Sequence, residues 1–171
     1  MKAVTFLAAA IVAAGPAQHL KPPDVKYVPT PQNVVEEMLQ MAHVTSADIV
    51  FDLGSGDGRI PITAAQKYGA RAVGIEIEPR LVAEANENAR RAGVTDRVWF
   101  FNRDLFETDF SSATVVTLFL MPRLNQALMP KLRALRSGSR VVSHMWDMGP
   151  EWPPDETRDV NSLMLYLWTI R

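Results

Sequence analysis

The sequence contains no cysteine in its 171 residues, which excludes disulfides, a thiol nucleophile and any thiolate metal site. Histidine is scarce as well. His19, His43 and His144 are the only three; they lie far apart without ligand spacing, and no metal is expected from them. Positive charge is not in excess: Lys and Arg number 18 against 19 Asp and Glu, a formal charge of −1. That leaves local basic patches but no general basic surface for a phosphate backbone, and no nucleic-acid partner is expected. The longest apolar run, Ala3 to Ala14, is too short to span a bilayer, which takes about 20 residues. Internal repeats and low-complexity tracts are missing too. What remains is an ordinary globular composition, 47% hydrophobic, in a length suited to one domain.

The first 17 residues read differently from the rest. Lys2, the apolar run Ala3 to Ala14 and the small residues Gly15-Pro-Ala17 have the pattern of a signal peptide cut after Ala17. The alternatives are a helix lying on the domain or an uncleaved membrane-surface anchor. The signal reading makes the protein exported or periplasmic. Residues 18–29, with Pro22 and Pro23, form an extended linker. Residues 30–171 form the domain.

That domain is organised around Ile49-Val-Phe-Asp-Leu-Gly-Ser-Gly-Asp-Gly-Arg59. The apolar run Ile49 to Leu53 predicts a buried strand, three glycines at alternate positions predict a turn, and Ile60 to Tyr68 predicts a helix. Strand, glycine turn and helix start make a nucleotide cradle, because glycine lets a ligand lie against the backbone and the helix start offers free N–H groups. Dinucleotide folds use Gly-x-Gly-x-x-Gly. Here the spacing is Gly54-x-Gly56-x-Gly58 with Asp52 before it, an acid that would repel a pyrophosphate but accept from an ammonium such as the amino-acid end of S-adenosylmethionine. Glu76, after the run Ala72 to Ile75 and about 20 residues past the turn, is placed to hold both ribose hydroxyls. Asp104, after Val98 to Phe101, is placed to accept from the adenine amino group.

Around this centre, Thr30-Pro31 predicts a capped helix start with proline at the first helical position, followed by the stripe Val34, Val35, Met38, Leu39 and Ala42. A second helix ends at Gly69, and a third runs from Pro79 to Gly93. Thr114 to Phe119 reads as a strand buried on both faces. The stripe Leu124, Leu128, Leu132 and Leu135 is interrupted by Pro130, which predicts a kink or two short helices. A strand over Arg140 to Met145 leads into a proline-rich rim loop, Trp146 to Pro154. Its Trp146 and Trp152 are either lid or partner contacts or core aromatics. Strands near Thr157 to Val160 and Leu163 to Ile170 close the chain as an antiparallel hairpin. The pattern is α/β: a Rossmann-like, doubly wound, mostly parallel seven-stranded sheet with an antiparallel C-terminal edge hairpin, and a ligand crevice at the carboxyl ends of the strands.

With three acids in register, the chain resembles the class I S-adenosylmethionine-dependent methyltransferases, whose motifs match Asp52 to Gly58, Glu76-Ile77 and Asp104-Leu105. Tyr27-Val-Pro-Thr-Pro31 and Asp52-Leu-Gly-Ser-Gly-Asp-Gly-Arg-Ile60 are most similar to the subfamily containing the lysine methyltransferase of the ATP synthase c subunit. The resemblance implies S-adenosyl-L-methionine as cofactor, held by Tyr27, Asp52, Gly54, Ser55, Gly56, Asp57, Gly58, Glu76, Ile77, Asp104 and Leu105. It also implies a segment around Tyr27 that folds over the cofactor, where the ring either faces the sulfonium or closes the core. Arg59 is a solvated helix-start residue or a grip on the donor carboxylate or a substrate. Phe119-Leu-Met-Pro122 stands where methyltransferases of nucleic-acid bases and glutamine amides carry Asn- or Asp-Pro-Pro-aromatic. This loss of polar groups fits an aliphatic amine. No catalytic base is assigned; His144 and Asp147 are candidates without support. The acceptor is read as a protein lysine, with a membrane-associated protein among the candidates. The alternatives are a small-molecule N- or O-methyltransferase and a non-catalytic donor-binding or membrane-assembly module, with a nicotinamide oxidoreductase disfavoured by the glycine spacing.

Overall fold

A computed structural model of the chain describes residues 20–24 and 26–171; the segment read as a signal peptide lies outside them. The elements alternate as the pattern requires: α1 Gln32–Met41, β1 Ile49–Leu53, α2 Arg59–Tyr68, β2 Arg71–Glu76, α3 Pro79–Ala92, β3 Val98–Asn102, β4 Val115–Leu118, α4 Pro122–Arg133, β5 Arg140–His144, β6 Glu156–Val160 and β7 Leu163–Thr169. The seven strands form one sheet in the order β3-β2-β1-β4-β5-β7-β6. All neighbours pair in parallel up to β5, and β7 then pairs antiparallel with both β5 and β6.

β4 is wholly buried, as its unbroken apolar sequence requires of a strand covered on both faces. Val34, Met38 and Leu39 of α1 pack with Ala64 of α2 and Ala85 of α3 on one face; Leu124, Leu128 and Leu132 of α4 pack with Trp168 of β7 on the other. The strand order reverses between β1 and β4, and that switch point opens a crevice at the strands' carboxyl ends.

Two local expectations are corrected. Of the two outcomes expected at Pro130, a kink or two short helices, the second is overturned: α4 runs unbroken over Pro122–Arg133. The burial of Leu124, Leu128 and Leu132 outweighs the one lost N–H bond. Thr30 does not cap α1. Pro31 takes the N-cap position without a side-chain cap bond, and the Thr30 hydroxyl is turned to His144 instead.

Candidate active site

β1 delivers Asp52 to the crevice. Its carboxylate is 2% exposed, and Thr117, its partner across the β1–β4 pairing, donates to Oδ1 at 2.6 Å. The Asp52 carboxyl is pushed up to about 7, chiefly by burial and in smaller part by the charges of Glu76 and Asp57, against the Thr117 bond that draws it down. An acid so placed is poised for a cationic ligand.

The glycine turn is docked on the end of β2. Gly54 and Ser55 N–H groups donate to the Ile75 carbonyl at 2.8 and 3.0 Å. The Gly56 N–H donates to Glu76 Oε2 at 2.8 Å, and the Glu78 N–H to Oε1 at 2.9 Å. Glu76 therefore supports the turn and, because each carboxylate oxygen has two lone pairs, keeps one on each oxygen for a ligand. Gly58 is the left-handed N-cap of α2, with φ +83°. A Cβ there would strike Phe100 and Ala85.

Residues 20–24 and 26–30 form a strap across the mouth. Asp24, Tyr27, Val28 and Thr30 line the crevice. Lys21 reaches Asp104 Oδ2 at 3.3 Å and Asp24 at 2.8 Å, while the other Asp104 oxygen accepts from the Phe106 N–H at 2.9 Å. The Tyr27 ring lies directly on Gly56, where a Cβ would fall 2.3 Å from Cε2. We therefore expect Gly56→Ala, at φ +53°, to lose about 1–2 kcal/mol from backbone strain alone and to lift the ring off the turn. A drop in thermal midpoint together with weaker donor binding checks this.

One wall of the crevice is apolar: Phe119, Leu120 and Leu124, from the end of β4 and the start of α4. Behind it His144, 2% exposed, stacks on Phe119 with ring centroids 4.1 Å apart. Its Nδ1 lies 3.3 Å from the Thr30 hydroxyl and its Nε2 has no partner among the described residues. Burial pushes this imidazole down to about 4, so it is neutral at physiological pH.

Of the residues expected around the cofactor, Tyr27, Asp52, Gly54, Ser55, Asp57, Glu76, Ile77, Asp104 and Leu105 line this one crevice. Gly56 and Gly58 do not line it; they let Tyr27, and Phe100 with α3, approach the turn. Sequence reasoning placed Phe119 at the acceptor end of the crevice, where it lies, but missed Thr117 and the Thr30–His144 contact, because a strand threonine and a distant histidine carry no motif. Trp152 is a core latch, its ring 5.7 Å from that of Trp168 and its carbonyl accepting from the Trp168 indole at 2.9 Å. Trp146 is 39% exposed. No group of three or more metal-ligating side chains occurs among the described residues.

The groups facing the crevice fit S-adenosylmethionine: a buried acid for an ammonium, a bidentate acid for a ribose, Gly54 at the start of the turn, and a buried Ser55 hydroxyl without a partner among the described residues. The ANTKMT methyltransferase domain model matches residues 52–156. A protein-lysine N-methyltransferase of Saccharolobus islandicus is 48% identical over 136 residues, covering 78% of this chain and 84% of the relative. The lysine N-methyltransferase of the ATP synthase c subunit from Mus musculus is 38% identical over 132 residues, covering 77% of this chain but only 52% of the mouse protein. A crystal structure of a Salinibacter ruber protein, described as an RNA methyltransferase in complex with S-adenosyl-L-homocysteine, is 56% identical. It superimposes with a TM-score of 0.82 and covers 84% of this chain and 94% of that one.

Proposed function

This chain belongs to the ANTKMT methyltransferase domain family and is an S-adenosylmethionine-dependent methyltransferase; we propose that its acceptor is the side-chain amine of a protein lysine. The observation that carries this reading is the acceptor wall. Phe119, Leu120 and Leu124 offer an aliphatic chain an apolar slot and offer no amide or carboxylate to orient a planar base. The names of the archaeal and mouse relatives support it.

The cofactor supplies an electrophilic methyl group on a cationic sulfonium. When bound, it would be held by Asp52 at its ammonium, by Glu76 at its ribose hydroxyls and by Asp104, which Lys21 now pairs, at its adenine amino group. Ile77 and Leu105 flank the base, and Tyr27 over Gly56 covers the sulfonium side. The protein's chief contribution is orientation, which brings amine and methyl into line at about 3 Å and supplies on the order of 7 kcal/mol or more. A lysine ammonium must first lose its proton. The apolar wall disfavours the charged form, so the ammonium would pass its proton to solvent and the neutral amine would take the methyl group as the C–S bond breaks, leaving S-adenosylhomocysteine; no dedicated base is required.

The Salinibacter relative's description favours a second reading, an RNA acceptor; the net charge of −1 and the apolar wall count against it. Incubating the protein with methyl-labelled S-adenosylmethionine and separated protein, RNA and small-molecule fractions of the source cell decides between them. Label on a protein band, traced to lysine and lost in Asp52→Ala, is the expected result; label in RNA or only in small molecules overturns it. The basic, apolar and small-residue order of residues 1–17 supports an exported protein acting near a membrane, and fractionation of source cells tests that separately.

A further inference from the structure

The Gly-Asp-Gly-Arg end of the turn carries two charged side chains at the crevice, Asp57 and Arg59. They form a forked pair: Arg59 Nε donates to Asp57 Oδ1 at 3.0 Å and Nη2 to Oδ2 at 2.6 Å. The remaining nitrogen, Nη1, donates to the Thr30 carbonyl at 2.8 Å. Burial pushes the Asp57 carboxyl up, but the Arg59 hydrogen bonds and charge outweigh it and hold the group below its ordinary value. Thr30 is itself 4% exposed and is met on its hydroxyl side by His144. Three residues upstream, the Tyr27 ring rests on Gly56.

We propose that Arg59, oriented by Asp57, is a positioning residue for methyl transfer: it fixes Thr30 and thereby holds Tyr27 over the glycine turn and the donor beneath. Each guanidinium nitrogen donates within the protein; Arg59 also lines the crevice and keeps N–H groups on Nη1 and Nη2 beyond these bonds, so the test separates action through the strap from a direct grip on the donor. A lysine cannot reproduce this action, because an ammonium lacks the planar fork that serves a carboxylate and a carbonyl at once. The proposal rests on the donor lying in this crevice.

The test uses the full chain, S-adenosylhomocysteine as titrant, and hydrogen exchange over residues 20–30. Arg59→Lys is expected to weaken binding about 10- to 100-fold, as loss of charge-assisted hydrogen bonds does. It also speeds exchange of the strap, while the variant still melts cooperatively. In a Tyr27→Ala background the same substitution is expected to add less than about threefold, because residues acting through one another are not additive. Additive losses, or weaker binding with the strap still protected, would show Arg59 touching the donor and overturn the proposal; so would unchanged affinity. Asp57→Asn, which removes the charge that orients the fork, is the second variant should Arg59→Lys not fold. Failure of the wild-type protein to bind S-adenosylhomocysteine would instead refute the reading of the crevice.

Discussion

Asp52→Asn makes the unliganded protein more stable above pH 7 while weakening its hold on the donor. The unfolded chain ionises Asp52 near 3.8 and the folded chain at about 7. The folded state therefore binds the extra proton between those values, and stability falls as pH rises through that window. Below pH 3.8 both states are protonated and the residue costs nothing; above pH 7 the full cost is present. A displacement of about 3 units corresponds to on the order of 3–4 kcal/mol, which the amide removes. Thr117 keeps an acceptor in the amide oxygen, so the variant leaves no new orphan donor at the 2.6 Å contact.

Binding runs the other way. A donor ammonium favours ionised Asp52, so wild-type affinity for S-adenosylhomocysteine is expected to fall about tenfold per unit as pH drops below 7. The variant binds at least tenfold more weakly at pH 8, with a flattened profile. Thermal melts and calorimetric titrations from pH 5 to 8.5 check both halves. Equal affinity of variant and wild type at pH 8 would remove Asp52 from the donor site.

Glu76→Ala is expected to weaken S-adenosylhomocysteine binding by 100-fold or more, about 3 kcal/mol, by unpairing two ribose hydroxyls inside a water-poor crevice. The loss is larger than a ligand contact alone would give, because Glu76 also accepts from the Gly56 and Glu78 N–H groups at 2.8 and 2.9 Å. Removing it strips the turn of its support, and the unliganded thermal midpoint falls as well. Glu76→Gln separates the two roles. One amide oxygen still accepts from the turn while the other side now donates, so stability recovers more than affinity does. Calorimetry on both variants reads this directly; an alanine variant that binds like wild type would leave the ribose to another residue.

Much of this was legible in the chain. The alternation of apolar runs with helical stripes, and the glycines ending helices at Gly69 and Gly93, dictated a doubly wound sheet, since each such element has only one way to bury its apolar face. The acids at the ends of β1, β2 and β3 were legible because a strand end is a fixed place in such a sheet. Pro130 misled because local propensity reports one lost hydrogen bond and not the burial of Leu124, Leu128 and Leu132. Thr30 misled in a similar way: its sequence context signals a helix cap, whereas its hydroxyl meets a residue 114 positions away.

The sequence by itself determined the succession of strands and helices, the glycine turn and the three acids around it, because these depend on periodicity and on short-range backbone requirements. Only the tertiary structure decided that Thr117 underlies Asp52, that Arg59 turns from solvent to clasp the Thr30 carbonyl, and that Tyr27 lies on the one glycine that admits its ring. Those contacts join residues far apart in the chain. They exist because parallel pairing brings β1 beside β4 and carries the strap over the strand ends.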